Sequence, residues 1–192
     1  TGVQTCALPI YVASGTVKKT HGLGGSVSHV PGFMPDGRLI VIEGGQVRLM
    51  DLRGGRSKGR VPVSGGLLGR GHLVGTRLYV SRSYDGGIAV LDMTGPKLLE
   101  VIAVEDWLRR VMVVGRQALV TGTKQGVGLV DLDTHEYRTL DLLDYASADS
   151  GEVFALDAKT LWRWDYAGER SLQRKIPGKL ARELKKADVG KV

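Results

Sequence analysis

Four aspartates recur along the chain. Asp51, Asp92, Asp131 and Asp165 are separated by 41, 39 and 34 residues. Carboxylates in that number can ligate a hard metal ion or work as an acid–base pair. Each one, however, closes a short β-rich run and opens a turn. An aspartate there accepts hydrogen bonds from the backbone N–H groups of the turn that follows. A residue repeated in every unit serves the unit, so the four read as structural turn-capping residues and not as one site. The histidines, His21, His29, His72 and His135, never fall at metal-ligand spacing and read as surface or packing residues. Cys6 is the single cysteine, so no thiolate cluster exists. There is no GxSxG elbow and no Walker loop. The run HGLGG at 21–25 has the glycines of a phosphate cradle but precedes no helix, and reads as a linker. No catalytic residue, metal or cofactor is assigned on this reading.

Binding chemistry has better candidates. Tyr84 and Asp85 sit in one inter-strand loop, Asp106, Trp107 and Arg109 in a link between units, and Lys124 in a further loop. Tyr, Trp and Arg are the types enriched at interaction hot spots. Trp162 and Trp164, in LWRW, stand two apart and so share one face of a strand. Such a pair suits a sugar or a quinone ring. Covering the edge of the last sheet is the preferred alternative.

The elements that must carry these loops form a repeat. RLIVIEGGQVRLMD at 38–51, RLYVSRSYDGGIAVLD at 77–92, QALVTGTKQGVGLVD at 117–131 and EVFALDAKTLWRWD at 152–165 align as strand, turn, strand, closing Asp. In the second unit Leu78 and Val80 alternate with Tyr79 and Ser81, the period-two signature of a strand. Both faces are largely apolar, as in a sheet packed between other sheets. GHLVG at 71–75 and RVMVVG at 110–115 supply a strand before the central hairpin. KLLEVIAV at 97–104 and YRTLDLL at 137–143 supply one after it. The first unit takes its inner strand from 26–33 and its outer strand from GRVPV at 59–63. The fourth unit reads as defective, because YASADSG at 145–151 is a poor strand. Units of about 40 residues with four antiparallel strands each are propeller blades. The expected fold is therefore all-β: a partial, truncated β-propeller of about four blades over 26–175. Ligands of such folds meet the loops joining the second and third strands and the links between blades, which is where Tyr84, Asp85, Asp106, Trp107, Arg109 and Lys124 fall.

The second unit also resembles the LVIVD-type repeat of bacterial β-propellers. Tyr79, Val80, Gly86, Gly87, Val90, Asp92, Thr94 and Pro96 stand at the places of that pattern, and Gly95 departs from it. The third unit keeps Asp131 and Thr134, and the fourth little beyond Asp165. The resemblance implies an exported or surface-associated protein without a defined activity.

The two ends read differently from the middle. Residues 1–10, TGVQTCALPI, match nothing downstream. The codons ACT GGA GTT CAG ACG TGT GCT CTT CCG ATC encode them, and that string resembles a widely used short-read sequencing adapter. A following T opens a Tyr codon, as Tyr11 requires. The stretch therefore reads as a non-native scar on a chain whose own N-terminus is missing. Residues 11–25 read as a linker or the remnant of a preceding blade. From Arg170 onward eight bases and two acids carry +6 of the net +7. Leu180, Ala181, Leu184 and Ala187 share a helical face after Pro177 and Gly178, which predicts a short basic C-terminal helix or tail over 176–192. So localised a charge argues against nucleic acid as the partner, and no apolar run reaches the length of a membrane helix.

The preferred function is a non-enzymatic binding or scaffold module engaging a protein or a carbohydrate, with missing N-terminal blades of the same chain as a further partner. The rival is a fragment of a propeller enzyme, a quinoprotein-like oxidoreductase or a lyase, with catalytic residues partly in the missing blades.

Overall fold

The structure, a computed structural model, describes residues 6–11, 17–23, 27–54, 56–64, 68–122, 126–140, 144–147, 153–156, 160–164 and 170–175, with side-chain detail confined to 27–140. Every regular element among them is a strand. Strands β3 (Val27–Phe33), β4 (Leu39–Glu43), β5 (Gln46–Asp51) and β6 (Arg56–Pro62) form an antiparallel meander, blade I. Blade II contains β7 (Leu68–Val74), β8 (Arg77–Arg82), β9 (Ile88–Asp92) and β10 (Lys97–Ile102). Blade III contains β11 (Leu108–Val114), β12 (Gln117–Gly122), β13 (Val127–Asp131) and β14 (Tyr137–Leu140). The inner strands β7 and β11 pair in parallel at Arg70 and Arg110, which merges blades II and III into one eight-stranded sheet.

Blade IV corrects the sequence reading. Its inner strand β15 (Asp144–Ser147) forms, pairing Tyr145 with Ala155 of β16 (Val153–Leu156). β17 (Thr160–Trp164) and β18 (Arg170–Lys175) complete the four-stranded sheet. A short polar stretch makes an acceptable strand when a full partner strand offers its hydrogen bonds, and composition alone does not register that. The +6 region thus starts inside β18. Before blade I, β1 (Cys6–Tyr11) pairs antiparallel with β2 (Val17–Leu23), opposing Cys6 to Leu23. Five of the ten adapter-like residues therefore lie in a paired strand, and His21–Leu23 of the glycine-rich run is strand and not linker. The predicted C-terminal helix lies outside the described residues.

Packing explains why both faces of each central strand are apolar. In β8 and β9, Leu78, Val80, Ala89 and Leu91 face blade I and pack on Ile40, Ile42, Val47 and Leu49. The alternate residues Tyr79, Ile88 and Val90 face blade III and meet Val111, Val113, Ala118, Val120 and Val130. Leu78, Val80, Ile40 and Ile42 are all fully buried. Each such side chain contributes about 2 kcal/mol on burial, so the blades are held to one another mainly by these apolar faces.

Candidate functional site

Antiparallel pairing sorts the connections between strands. In blades I to III the β3–β4, β5–β6, β7–β8, β9–β10, β11–β12 and β13–β14 turns lie at one end, the turn end. The β4–β5, β8–β9 and β12–β13 loops lie at the other, with the links between blades. This is the link end.

At the link end of blade I the chain closes tightly through Gly44, which has φ +57°, and Gly45. Val63 N donates to Gly45 O at 2.9 Å and Leu68 N to Gly44 O at 3.1 Å, so the outgoing link is strapped to the turn. Beside it Arg48 meets Glu43 at 2.6 Å, with side chains only 13 % and 8 % exposed. Arg48 Nε is buried there without a hydrogen-bond partner.

Blade II is built differently. Its β8–β9 loop, 83–87, ends in Gly86 and Gly87, at φ +71° and +91°. A Cβ on Gly86 would overlap Val104 O, and one on Gly87 would overlap Ile102 O. Only glycine allows the loop to lie this close to the β10–β11 link, 103–107. Ser83 Oγ adds a hydrogen bond to Leu108 O at 3.3 Å. Arg82 donates to Ser64 O at 3.1 Å and Gly86 O at 3.3 Å, and pairs with Asp85 at 2.9 Å.

The two segments carry an aromatic pair. Tyr84 and Trp107 stand edge to face, ring centroids 6.1 Å apart at 70°. They are 54 % and 47 % exposed. Asp85 is exposed beside Tyr84, and Arg109 is exposed two residues beyond Trp107. Asp106 is different, being only 3 % exposed. Its Oδ1 accepts from Trp107 N at 2.7 Å. The structure thus brings Tyr84 and Trp107 together, pairs Asp85 with Arg82, places Arg109 at the start of β11, and buries Asp106. Lys124 lies outside the described residues. Arg82 and Ser83 were not singled out by sequence reasoning. The signal that could have found them is the Gly86–Gly87 pair, which serves a docked loop instead of a tight hairpin.

At the turn end three aspartates do the same thing. Asp51 Oδ1 accepts from Arg53 N at 2.9 Å and Gly54 N at 3.4 Å. Asp92 Oδ1 accepts from Thr94 Oγ1 at 2.6 Å and Thr94 N at 2.9 Å. Asp131 Oδ1 accepts from Asp133 N and Thr134 N, both at 2.9 Å. These bonds hold all three carboxyls below the usual carboxylate range. The chief donor is the Arg53 N–H for Asp51, the Thr94 hydroxyl for Asp92 and the Thr134 N–H for Asp131. Asp165 lies outside the described residues. Among the described residues no three His, Cys, Asp or Glu side chains gather in a way that could hold a metal ion.

Two histidines bridge neighbouring inner strands. His29 Nε2 lies 3.2 Å from Gly71 O, joining blade I to blade II. His72 Nδ1 accepts from Val113 N at 3.0 Å, joining blade II to blade III. Burial pushes both imidazoles below the usual histidine value. His135 has φ +62° in the β13–β14 turn, and its Nε2 lies 3.5 Å from Glu100.

Among the described residues no helix is long and apolar enough to cross a membrane. No family model matches the chain. No curated protein matches it either. Among solved structures it is similar to the crystal structure of BamB from Moraxella catarrhalis, with TM-score 0.56 and 17 % identity over 82 % of this chain and 52 % of that one. The chain thus spans about half the length of that structure. BamB is a β-propeller, and the likeness, one of fold, agrees with the four-stranded blades: the chain has a β-propeller fold.

Proposed function

We propose that the chain is a non-enzymatic binding module that engages a protein partner through Tyr84 and Trp107 at the seam of blades II and III. One observation carries this reading: two large aromatic rings remain about half exposed on loops that are otherwise tightly docked. Apolar surface held in water by rigid backbone is a feature of interaction sites. Propeller-like folds also often mediate protein binding. Asp85 and Arg109 flank the rings and supply the polar rim of such a contact.

A displayed peptide library selected on the chain, with counter-selection on Trp107→Ala, tests the proposal. Selected peptides share an aromatic or aliphatic residue and lose tenfold or more in affinity to Tyr84→Ala and Trp107→Ala, roughly the hot-spot scale. The unfolding midpoints of both variants stay near that of the parent. Peptides indifferent to both substitutions overturn the site. A glycan array run alongside decides the partner class, since saccharide binding lost in the same two variants replaces the protein partner with a carbohydrate.

A further inference from the structure

We propose that Asp106 is the positioning residue of the Tyr84–Trp107 pair, acting as a buried peg in a socket that exists because residue 122 is glycine. The inference deepens the binding reading, but its geometry stands apart from it. Asp106 belongs to the link that leaves blade II, whereas Gly122 ends β12 of blade III. A Cβ on Gly122 would overlap the Asp106 carboxyl at Oδ2. The other carboxyl oxygen, Oδ1, takes the N–H of Trp107. The main chain of the same residue lies close against Gly86, where a Cβ would stand 2.8 Å from Asp106 O. Gly122 N is itself engaged with Gly126 O at 2.8 Å, so the socket wall is tied to the residue that precedes β13. The link is therefore gripped by blade II through Gly86 and by blade III through Gly122, and Trp107 is the next residue out.

A polar group buried this deeply is costly unless its hydrogen bonds are made. What the bond to Trp107 N fixes is the direction in which Trp107 leaves the backbone. Preorganising an exposed ring lowers the ordering cost of binding. Asp106 acts on a ligand only through Trp107.

Hydrogen–deuterium exchange on the full chain, read over 103–109, tests this without any ligand. Gly122→Ala fills the socket and Asp106→Ala removes the peg. Each is expected to raise exchange in that segment about tenfold or more, with β4 and β5 of blade I unchanged. Asp106→Asn keeps both size and acceptor, and stays within about twofold of the parent. If Gly122→Ala does not fold, the contrast between Asp106→Ala and Asp106→Asn decides. Unchanged exchange in 103–109, or a rise spread evenly over all blades, overturns the peg. Affinity for a peptide selected on the parent chain separates the two proposals. Local loosening with no selectable peptide supports the peg and removes the binding reading. A peptide lost by Trp107→Ala but kept by Asp106→Ala and Gly122→Ala removes the peg and leaves the binding reading standing.

Discussion

The turn end and the link end use similar residue types for opposite purposes. At the turn end Asp51, Asp92 and Asp131 each fold back onto N–H groups two or three residues on, in blade after blade. At the link end blades I and II differ. Blade I closes on two glycines beside a buried ion pair, and blade II extends its loop to carry Tyr84. Even the aspartates diverge: Asp92 accepts bonds inside its own turn, whereas Asp106 sits buried between two blades. What recurs is what every blade needs in order to fold. What occurs once is free to meet something else.

The largest effect is expected at the blade I link end. Glu43→Ala leaves the Arg48 guanidinium buried and uncompensated, and destabilises the fold by about 3 kcal/mol or more. Denaturant unfolding reads this out, and Glu43→Leu with Arg48→Met restores most of it. Lost peptide binding at unchanged stability in Glu43→Ala would break the contrast, because blade I would then share the binding role. A middle-sized effect is expected at His72. Its Nδ1 must be unprotonated to accept from Val113. Burial lowers its folded pKa from the ordinary 6.5, so the unfolded chain takes up the proton first as the pH falls. The contribution of this contact is complete above about pH 7.5 and declines as the pH drops through 6.5 towards the lower folded value. His72→Asn keeps an acceptor that does not titrate, so its unfolding midpoint depends less on pH between about 7 and 5 than that of the parent. An identical pH dependence would show that the bridge contributes nothing. The smallest effect belongs to Asp92→Ala, at an exposed turn. It lowers the unfolding midpoint slightly and leaves peptide binding unchanged. Its folded pKa is depressed from 3.8, so the difference from the parent is present above that value and vanishes as the pH falls through the folded one. Abolished binding at full stability would place function at the turn end.

The propeller was legible because blade construction is local. Alternation along 77–92, the glycines of the turns and the returning Asp all sit within one repeat, and they match β8, β9 and the β9–β10 turn. Blade IV was less legible: DYAS has weak intrinsic strand preference and becomes a strand by pairing with Val153–Leu156. The candidate site was half legible. Residue type singled out Tyr84 and Trp107, 23 residues apart, but nothing in the sequence says that their rings touch. The inward turn of Asp106 depends on Gly122, in another blade, so its role was invisible to any local pattern. The adapter-like stretch shows the same limit from the other side. A resemblance between codons says nothing about pairing, and Cys6–Tyr11 pairs with Val17–Leu23 as any strand with suitable neighbours can.

The parallel pairing of Arg70 with Arg110, the one such pair among the described residues, has a kinetic consequence. Among the described residues every other strand pair joins sequence neighbours through a short connection. The parallel pair must close a loop of about 40 residues, and closure entropy grows with the logarithm of loop length. Each blade can therefore zip up from its own hairpins before it finds its neighbour, and the inner-strand contact forms last. The rate-limiting event is then the docking of preformed blades along their apolar faces, and a substitution such as Leu78→Ala slows that docking.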